Sequence, residues 1–96
     1  MKYQIIQNKE EFVAIRSLLH IAITQQATYH DEYISIMVRD AKEMCGNQAY
    51  RYRANKKVYH CSSFLCRHNR ELLQRLNPDA MGVAEYRMLL DFFESL

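Results

Sequence analysis

The chain has 96 residues, of which 49% are hydrophobic and 25% charged, a balance that is typical of a folded domain and excludes a disordered tail. This length predicts one domain over residues 1–96 and leaves little room for an enclosed pocket around a large cofactor. The formal net charge of +2 is too small to predict a nucleic-acid-binding protein by itself. Two glycines and one proline favour helices with short connections over an all-β fold.

No apolar run approaches the roughly 18 residues that a membrane span needs, and no basic-then-apolar leader opens the chain. Both observations predict a cytoplasmic protein with no membrane partner. Three cysteines, an odd number, favour reduced thiols over a disulfide framework in such a chain.

The first half of the chain predicts a short edge strand followed by two helices. Alternating side chains over residues 2–6 indicate the strand. Asn8 is a predicted N-cap, and helix one is expected from Lys9 to Ala27. Helix two is expected from a cap at Thr28 to Cys45, so that the two helices would form an antiparallel pair. The apolar faces of the two helices contain Phe12, Ile15, Leu18, Leu19, Ala22, Ile23, Tyr33, Ile34, Met37, Val38 and Ala41.

The middle of the chain, residues 47–76, concentrates positive charge, with seven basic residues and a single acid. Residues 50–54 and 57–61 alternate in a way that predicts a hairpin around Asn55-Lys56, with Tyr52 and Tyr59 on one face. As a helix, this stretch shows no coherent apolar stripe. The pattern therefore favours a β-ribbon over residues 48–61.

Two more helices are predicted toward the C-terminus. Helix three begins at Ser62 or Ser63 and ends at Leu76, because the residue before Pro78 is steered out of helical geometry. The last helix is expected to begin at Pro78 or Asp79. Its residues spaced for burial are Val83, Tyr86, Leu89, Leu90, Phe93 and Leu96. The predicted fold is α+β and mainly helical, with about four helices and a small antiparallel ribbon of two or three strands from residues 2–6 and 48–61.

The ribbon and helix three predict a nucleic-acid-binding face, because cations for phosphates stand beside rings that can stack on bases. The alternative is that the tyrosines pack on the core while the basic residues keep an exposed ribbon soluble. The candidate nucleic-acid or partner-binding residues are Arg51, Tyr52, Arg53, Lys56, Lys57, Tyr59, Arg67 and Arg70.

A zinc site is a weaker hypothesis, built from Cys45, Cys61, Cys66 and His68. On a continuous helix Cys61 and His68 would lie about 10 Å apart along the axis, too far to share one ion. The run from Tyr59 to Cys66 is similar to one half of the zinc site in some regulators of phage late genes, but the other half-site is missing. We therefore expect no metal and no cofactor.

Catalysis is not expected either. A cysteine nucleophile needs a base within hydrogen-bond reach, and the adjacent His60 and Cys61 would point to opposite faces of a strand. Gly46 and Gly82 lack the flanking residues of a phosphate-binding loop. The chain is therefore predicted not to be an enzyme.

The functional prediction is a small non-enzymatic regulatory or accessory protein that binds a macromolecule, either nucleic acid or an acidic protein surface. The first alternative is an inhibitor or adaptor, of a bacterial or phage type, that docks on a host protein through the same ribbon and the last helix. There Met88, Phe92 and Leu96 would form a partner surface or a homodimer contact. The second alternative is a small module stabilised by zinc.

Overall fold

A computed structural model describes residues 10–26, 32–47 and 56–96, except for the side chains of Glu32, Lys56 and Lys57. Of these residues 82% are helical and none is in a strand. The helices are α1 (Glu10–Thr24), α2 (Glu32–Gly46), α3 (Lys56–His68), α4 (Arg70–Arg75) and α5 (Val83–Glu94).

The predicted α+β fold is wrong, because the second strand of the predicted hairpin is helical. Residues 56–61 form the first turns of α3, where Val58 and Cys61 are buried. This stripe continues at Ser62 and Leu65 with three- and four-residue spacing. When only residues 50–61 are compared, the stripe contributes just Val58 and Cys61, so the alternating tyrosines dominate the pattern. The other predicted strand segments, residues 2–6 and 48–55, lie outside the described residues.

Helix α1 packs mainly on α5. Phe12 is buried at the centre, with its ring edge-on to Phe93 of α5 at 5.8 Å and to Phe64 of α3 at 5.6 Å. At the surface, His20 Nε2 lies 3.0 Å from Glu94 Oε2. The helix ends three residues earlier than predicted, and Gln26, beyond its end, has a left-handed φ of 52°.

Helix α2 packs mainly on α3, so the predicted α1–α2 pair is not the main contact of either helix. The hydroxyl of the fully buried Ser62 donates to the Met37 carbonyl at 2.9 Å. Small side chains at such a contact let two helix backbones approach closely. Cys45 and Cys66 form a disulfide with a Cα–Cα distance of 5.7 Å, which links the last turns of the two helices.

A helix boundary at Asn69 divides the single predicted helix from residue 62 to Leu76. Asn69 leaves helical geometry, and its side-chain oxygen accepts the Leu72 N–H at 3.2 Å, which caps α4. The last helix begins later than predicted, at Val83, where the Gly82 N–H donates to Glu85 Oε1 at 2.8 Å. Buried apolar side chains from all five helices form one core cluster.

Candidate nucleic-acid interface

The structure places only some of the residues predicted to contact nucleic acid. Arg51, Tyr52 and Arg53 lie outside the described residues. Lys56 and Lys57 begin α3, and their side chains also lie outside the description. Tyr59, Arg67 and Arg70 are exposed. Tyr59, Arg67 and Arg70 therefore lie on the solvent-facing side of α3 and at the start of α4, and not on a strand.

The N-terminal half of α3 does not present positive charge alone. Tyr59 is 36% exposed, and its ring stands edge-on to His60 at 5.9 Å. His60 Nδ1 in turn lies 3.2 Å from Glu11 Oε1 in the first turn of α1. A carboxylate at this position repels phosphate, so the aromatic face is a less favourable anion contact than its sequence indicates.

A second group of basic residues lies around the C-terminal end of α3: Lys42 on α2, Arg67 on α3 and Arg70 on α4. We call these three residues the basic junction. The Cys45–Cys66 disulfide holds the ends of α2 and α3 together there, and α4 begins two residues after α3 ends. Lys42 and Arg70 line one shallow groove of about 340 Å³. The groove is completed by Cys45, Gly46, Leu73 and Gln74.

Lys42, Arg67 and Arg70 are similar in lacking ion pairs within the described part of the chain. Arg39, one helical turn before Lys42, is different because it pairs with Asp79. Arg39, Lys42 and Glu43 also line a neighbouring groove, so the positive surface ends on that side.

Of the three residues of the basic junction, Arg67 also has a structural role at a helix end. Arg67 and His68 occupy the last turn of α3, where the unsatisfied carbonyls carry partial negative charge. Cations there stabilise the helix by a few tenths of a kcal/mol. That role needs no particular partner, whereas Lys42 and Arg70 lie outside the last turn of α3 and face the shared groove.

The cysteines are arranged differently from the prediction of reduced thiols. Cys45 and Cys66 are paired with each other, and Cys61 is a fully buried free thiol. Burial, reinforced by the charge of Glu11, raises the pKa of Cys61 to about 12. His68 packs its ring against Phe64 at a centroid distance of 4.2 Å.

No three histidine, cysteine or acidic side chains in the described ranges lie close enough together to hold a metal ion. The hypothetical zinc set of Cys45, Cys61, Cys66 and His68 is thus not assembled there. The disulfide occupies two of its sulfurs, and Cys61 faces the core.

The predicted partner surface at the C-terminus lies at the edge of the core. Met88, Phe92 and Leu96 are partly buried and pack against the core cluster. The Phe92 ring lies 5.8 Å from Phe64 and 5.2 Å from Phe93. Met88 and Phe92 also line an open groove of about 420 Å³ between α4 and α5.

Lys42 is the site residue that sequence reasoning missed. It lies outside the basic middle of the chain, in a helix whose charges are mixed. Its link to Arg67 and Arg70 follows from the Cys45–Cys66 pairing, and three cysteines allow three different pairs. A search for basic residues within one turn of each cysteine would have included it.

No protein-family model, curated protein or solved structure matches this chain. Among the described helices, none is both long and apolar enough to cross a membrane.

Proposed function

We propose that this protein is a small, non-enzymatic, cytoplasmic regulatory or accessory protein that binds nucleic acid through the basic junction. One observation carries the proposal: Lys42 and Arg70 line one groove beside the Cys45–Cys66 disulfide, and Arg67 is exposed next to Cys66. None of the three makes an ion pair among the described residues. Residues 50–57, which we call the basic segment, run into the first turn of α3 and add four further lysines and arginines to the middle of the chain.

The expected chemistry is charge neutralisation. Lysine and arginine side chains contact backbone phosphates and release condensed counterions, so affinity falls steeply as salt rises. Arginine can also contact two phosphate oxygens at once with its planar group. Tyr59, in the N-terminal half of α3, offers an exposed ring for base stacking away from the junction. Such contacts position a nucleic acid without reading its sequence.

Fluorescence anisotropy with labelled single- and double-stranded DNA and RNA, at two salt concentrations, tests the proposal. Arg70→Glu is expected to weaken binding roughly tenfold at low salt and to reduce the salt slope by about 1. Arg87→Glu is the matched control, because Arg87 is an exposed arginine on α5 and the net charge changes equally. Absence of binding by the wild type at low salt, or equal losses in both variants, would contradict the proposal.

An acidic protein is the second candidate partner. The groove beside Met88 and Phe92 favours it, since methionine and aromatic side chains are common interface anchors. In this case Arg70→Glu should mainly slow association, whereas Met88→Ala should speed dissociation. Surface plasmon resonance on a partner recovered by affinity capture would separate the two effects.

A further inference from the structure

The two cysteines of the disulfide at the basic junction differ in exposure. Cys45 is half-buried and lines the groove with Lys42 and Arg70. Cys66 is 7% exposed and is not among the described residues of that groove. A nucleophile that enters the groove therefore reaches the sulfur of Cys45 first.

The groove fits a small anionic thiol. Its described lining contains two cations and no acid, with Leu73 and Gln74 completing the wall. Its volume of about 340 Å³ lies at the lower end of the range for small-molecule sites. Neighbouring cations attract an anion and favour the thiolate, the form of a thiol that attacks a disulfide.

We propose that Cys45 is the sulfur at which an anionic low-molecular-weight thiol, such as glutathione, opens the Cys45–Cys66 disulfide, and that this opening weakens nucleic-acid binding at the basic junction. The second half of the proposal rests on the function proposed above. Disulfides in the cytosol are rare and, where present, are usually transient or redox-sensing, which agrees with a reversible bond.

The exchange proceeds in two displacements. A thiolate attacks Cys45 Sγ and forms a new S–S bond, while the bond to Cys66 breaks and Cys66 leaves as a thiolate that takes a proton from water. A second thiolate then attacks the sulfur of the bound thiol and releases Cys45 as a thiolate, together with the oxidised disulfide of the small thiol. Two electrons pass from two thiols to the protein.

The third cysteine does not take part. Cys61 is fully buried, and its thiol stays protonated at neutral pH. It therefore cannot displace the bound thiol from Cys45 in place of a second small thiol. Once Cys45 is reduced, its sulfur has an acceptor close by, because Cys45 Sγ lies 3.5 Å from the Cys66 carbonyl oxygen.

Opening the bond affects the binding surface through the two helix ends. The disulfide is the covalent link between the last turn of α2 and that of α3, across 21 residues that include the basic segment. Without it the Ser62–Met37 contact still joins the helices, but further from the ends. Lys42, three residues before Cys45, and Arg67, next to Cys66, then lose the covalent restraint on their helix ends, although the packing of α2 on α3 remains.

The exchange is tested by mass spectrometry on the oxidised full-length chain. Glutathione is added, samples are quenched with acid, and peptide mapping locates the mixed disulfide. We expect glutathione on Cys45, and roughly tenfold slower reduction in Lys42→Glu/Arg70→Glu. The neutral 2-mercaptoethanol should reduce both proteins at the same rate, and Cys61→Ala should react like the wild type. Glutathione on Cys66, equal slowing with both thiols, or no reduction by millimolar glutathione would overturn the site.

The effect on binding is tested by anisotropy at low salt. Oxidised wild type is compared with dithiothreitol-reduced wild type and with Cys45→Ala/Cys66→Ala, each shown to be folded by circular dichroism. Both disulfide-free forms should bind about tenfold more weakly and with a smaller salt slope. Equal affinity in all three would overturn redox control and leave the proposed function standing. Absence of binding by the oxidised protein would overturn both the proposed function and its redox control. The position of glutathione found by mass spectrometry does not depend on nucleic-acid binding, so it tests the reaction at Cys45 separately.

Discussion

At the scale of single residues, Cys61 shows how burial turns a reactive group into a core side chain. Its pKa of about 12, against an ordinary value of 9.0, is raised first by desolvation and then by Glu11. The folded state therefore holds the thiol proton more tightly than the unfolded state does. The resulting stabilisation is fully present below pH 9 and is lost as pH rises toward 12.

We predict that the stability advantage of the wild type over Cys61→Ala shrinks with pH. Urea denaturation at pH 8 and at pH 11 gives the two differences in free energy of unfolding. The difference should be smaller at pH 11 by on the order of 2 kcal/mol, because only the wild type has this thiol to ionise on unfolding. Tyrosines and lysines titrate in both proteins and cancel. A difference that is constant with pH would contradict the assignment.

Ser62 is the other residue whose role depends on burial. Its hydroxyl donates to the Met37 carbonyl at 2.9 Å in the contact between α2 and α3. Ser62→Ala should lower the free energy of unfolding by about 1 kcal/mol through the lost hydrogen bond. Ser62→Val should cost more, about 1–3 kcal/mol, because the added methyl groups have no space. Ser63→Ala, at the partly exposed neighbouring position, is the control and should change stability by less than about 0.5 kcal/mol in urea denaturation.

At the scale of helices, the apolar stripes could be predicted wherever a stripe runs the full length of one helix. Phe12, Ile15, Leu19 and Ala22 are buried as their spacing predicts, and so are Tyr86, Leu89, Leu90 and Phe93. Both sets repeat at the helical period without competing signals. Local periodicity is therefore sufficient for α1 and α5.

The start of α3 could not be predicted in this way, because its signals compete. The alternating tyrosines predict a strand, whereas the buried face of the helix contains Cys61 and Ser62. Serine is usually exposed, and only the partner carbonyl on α2 makes its burial favourable. The contact with α2 therefore determines that these residues form a helix and not a strand. The Cys45–Cys66 pair, and with it the basic junction, is likewise defined by three-dimensional packing.

The boundary between α3 and α4 has a local cause that can be tested. The Asn69 side chain accepts the Leu72 N–H at 3.2 Å, while the Asn69 N–H donates to the Leu65 carbonyl at 2.9 Å, so one residue ends α3 and caps α4. Asn69→Ala should lose about 1 kcal/mol of stability in urea denaturation. Asn69→Asp keeps an oxygen acceptor and should stay close to the wild type. Equal losses in both variants would show that the cap contributes nothing.

At the scale of the whole molecule, charge position matters more than net charge. The chain carries only +2, yet the eight residues 50–57 hold four of its 13 lysines and arginines and no acid. Acids cluster elsewhere, as in the first turn of α1 and along α5. A uniformly weak positive charge would attract polyanions weakly and without a preferred face. A localised cluster of positive charges instead produces a short-range field around itself, which is strong within a Debye length of about 10 Å at 0.1 M salt.

This difference yields a prediction with a charge-matched control. Arg51→Glu/Arg53→Glu and Arg75→Glu/Arg87→Glu both change the net charge from +2 to −2. If binding depends on the basic segment of residues 50–57, the first pair should lower affinity for nucleic acid by roughly 100-fold at low salt. It should also reduce the slope of log affinity against log salt by about 2. The second pair should lower affinity only about threefold through the general field. Anisotropy titrations at several salt concentrations, with circular dichroism to show that both variants fold, measure the two slopes. Parallel losses would mean that net charge alone governs binding, and they would remove the basic segment from the interface.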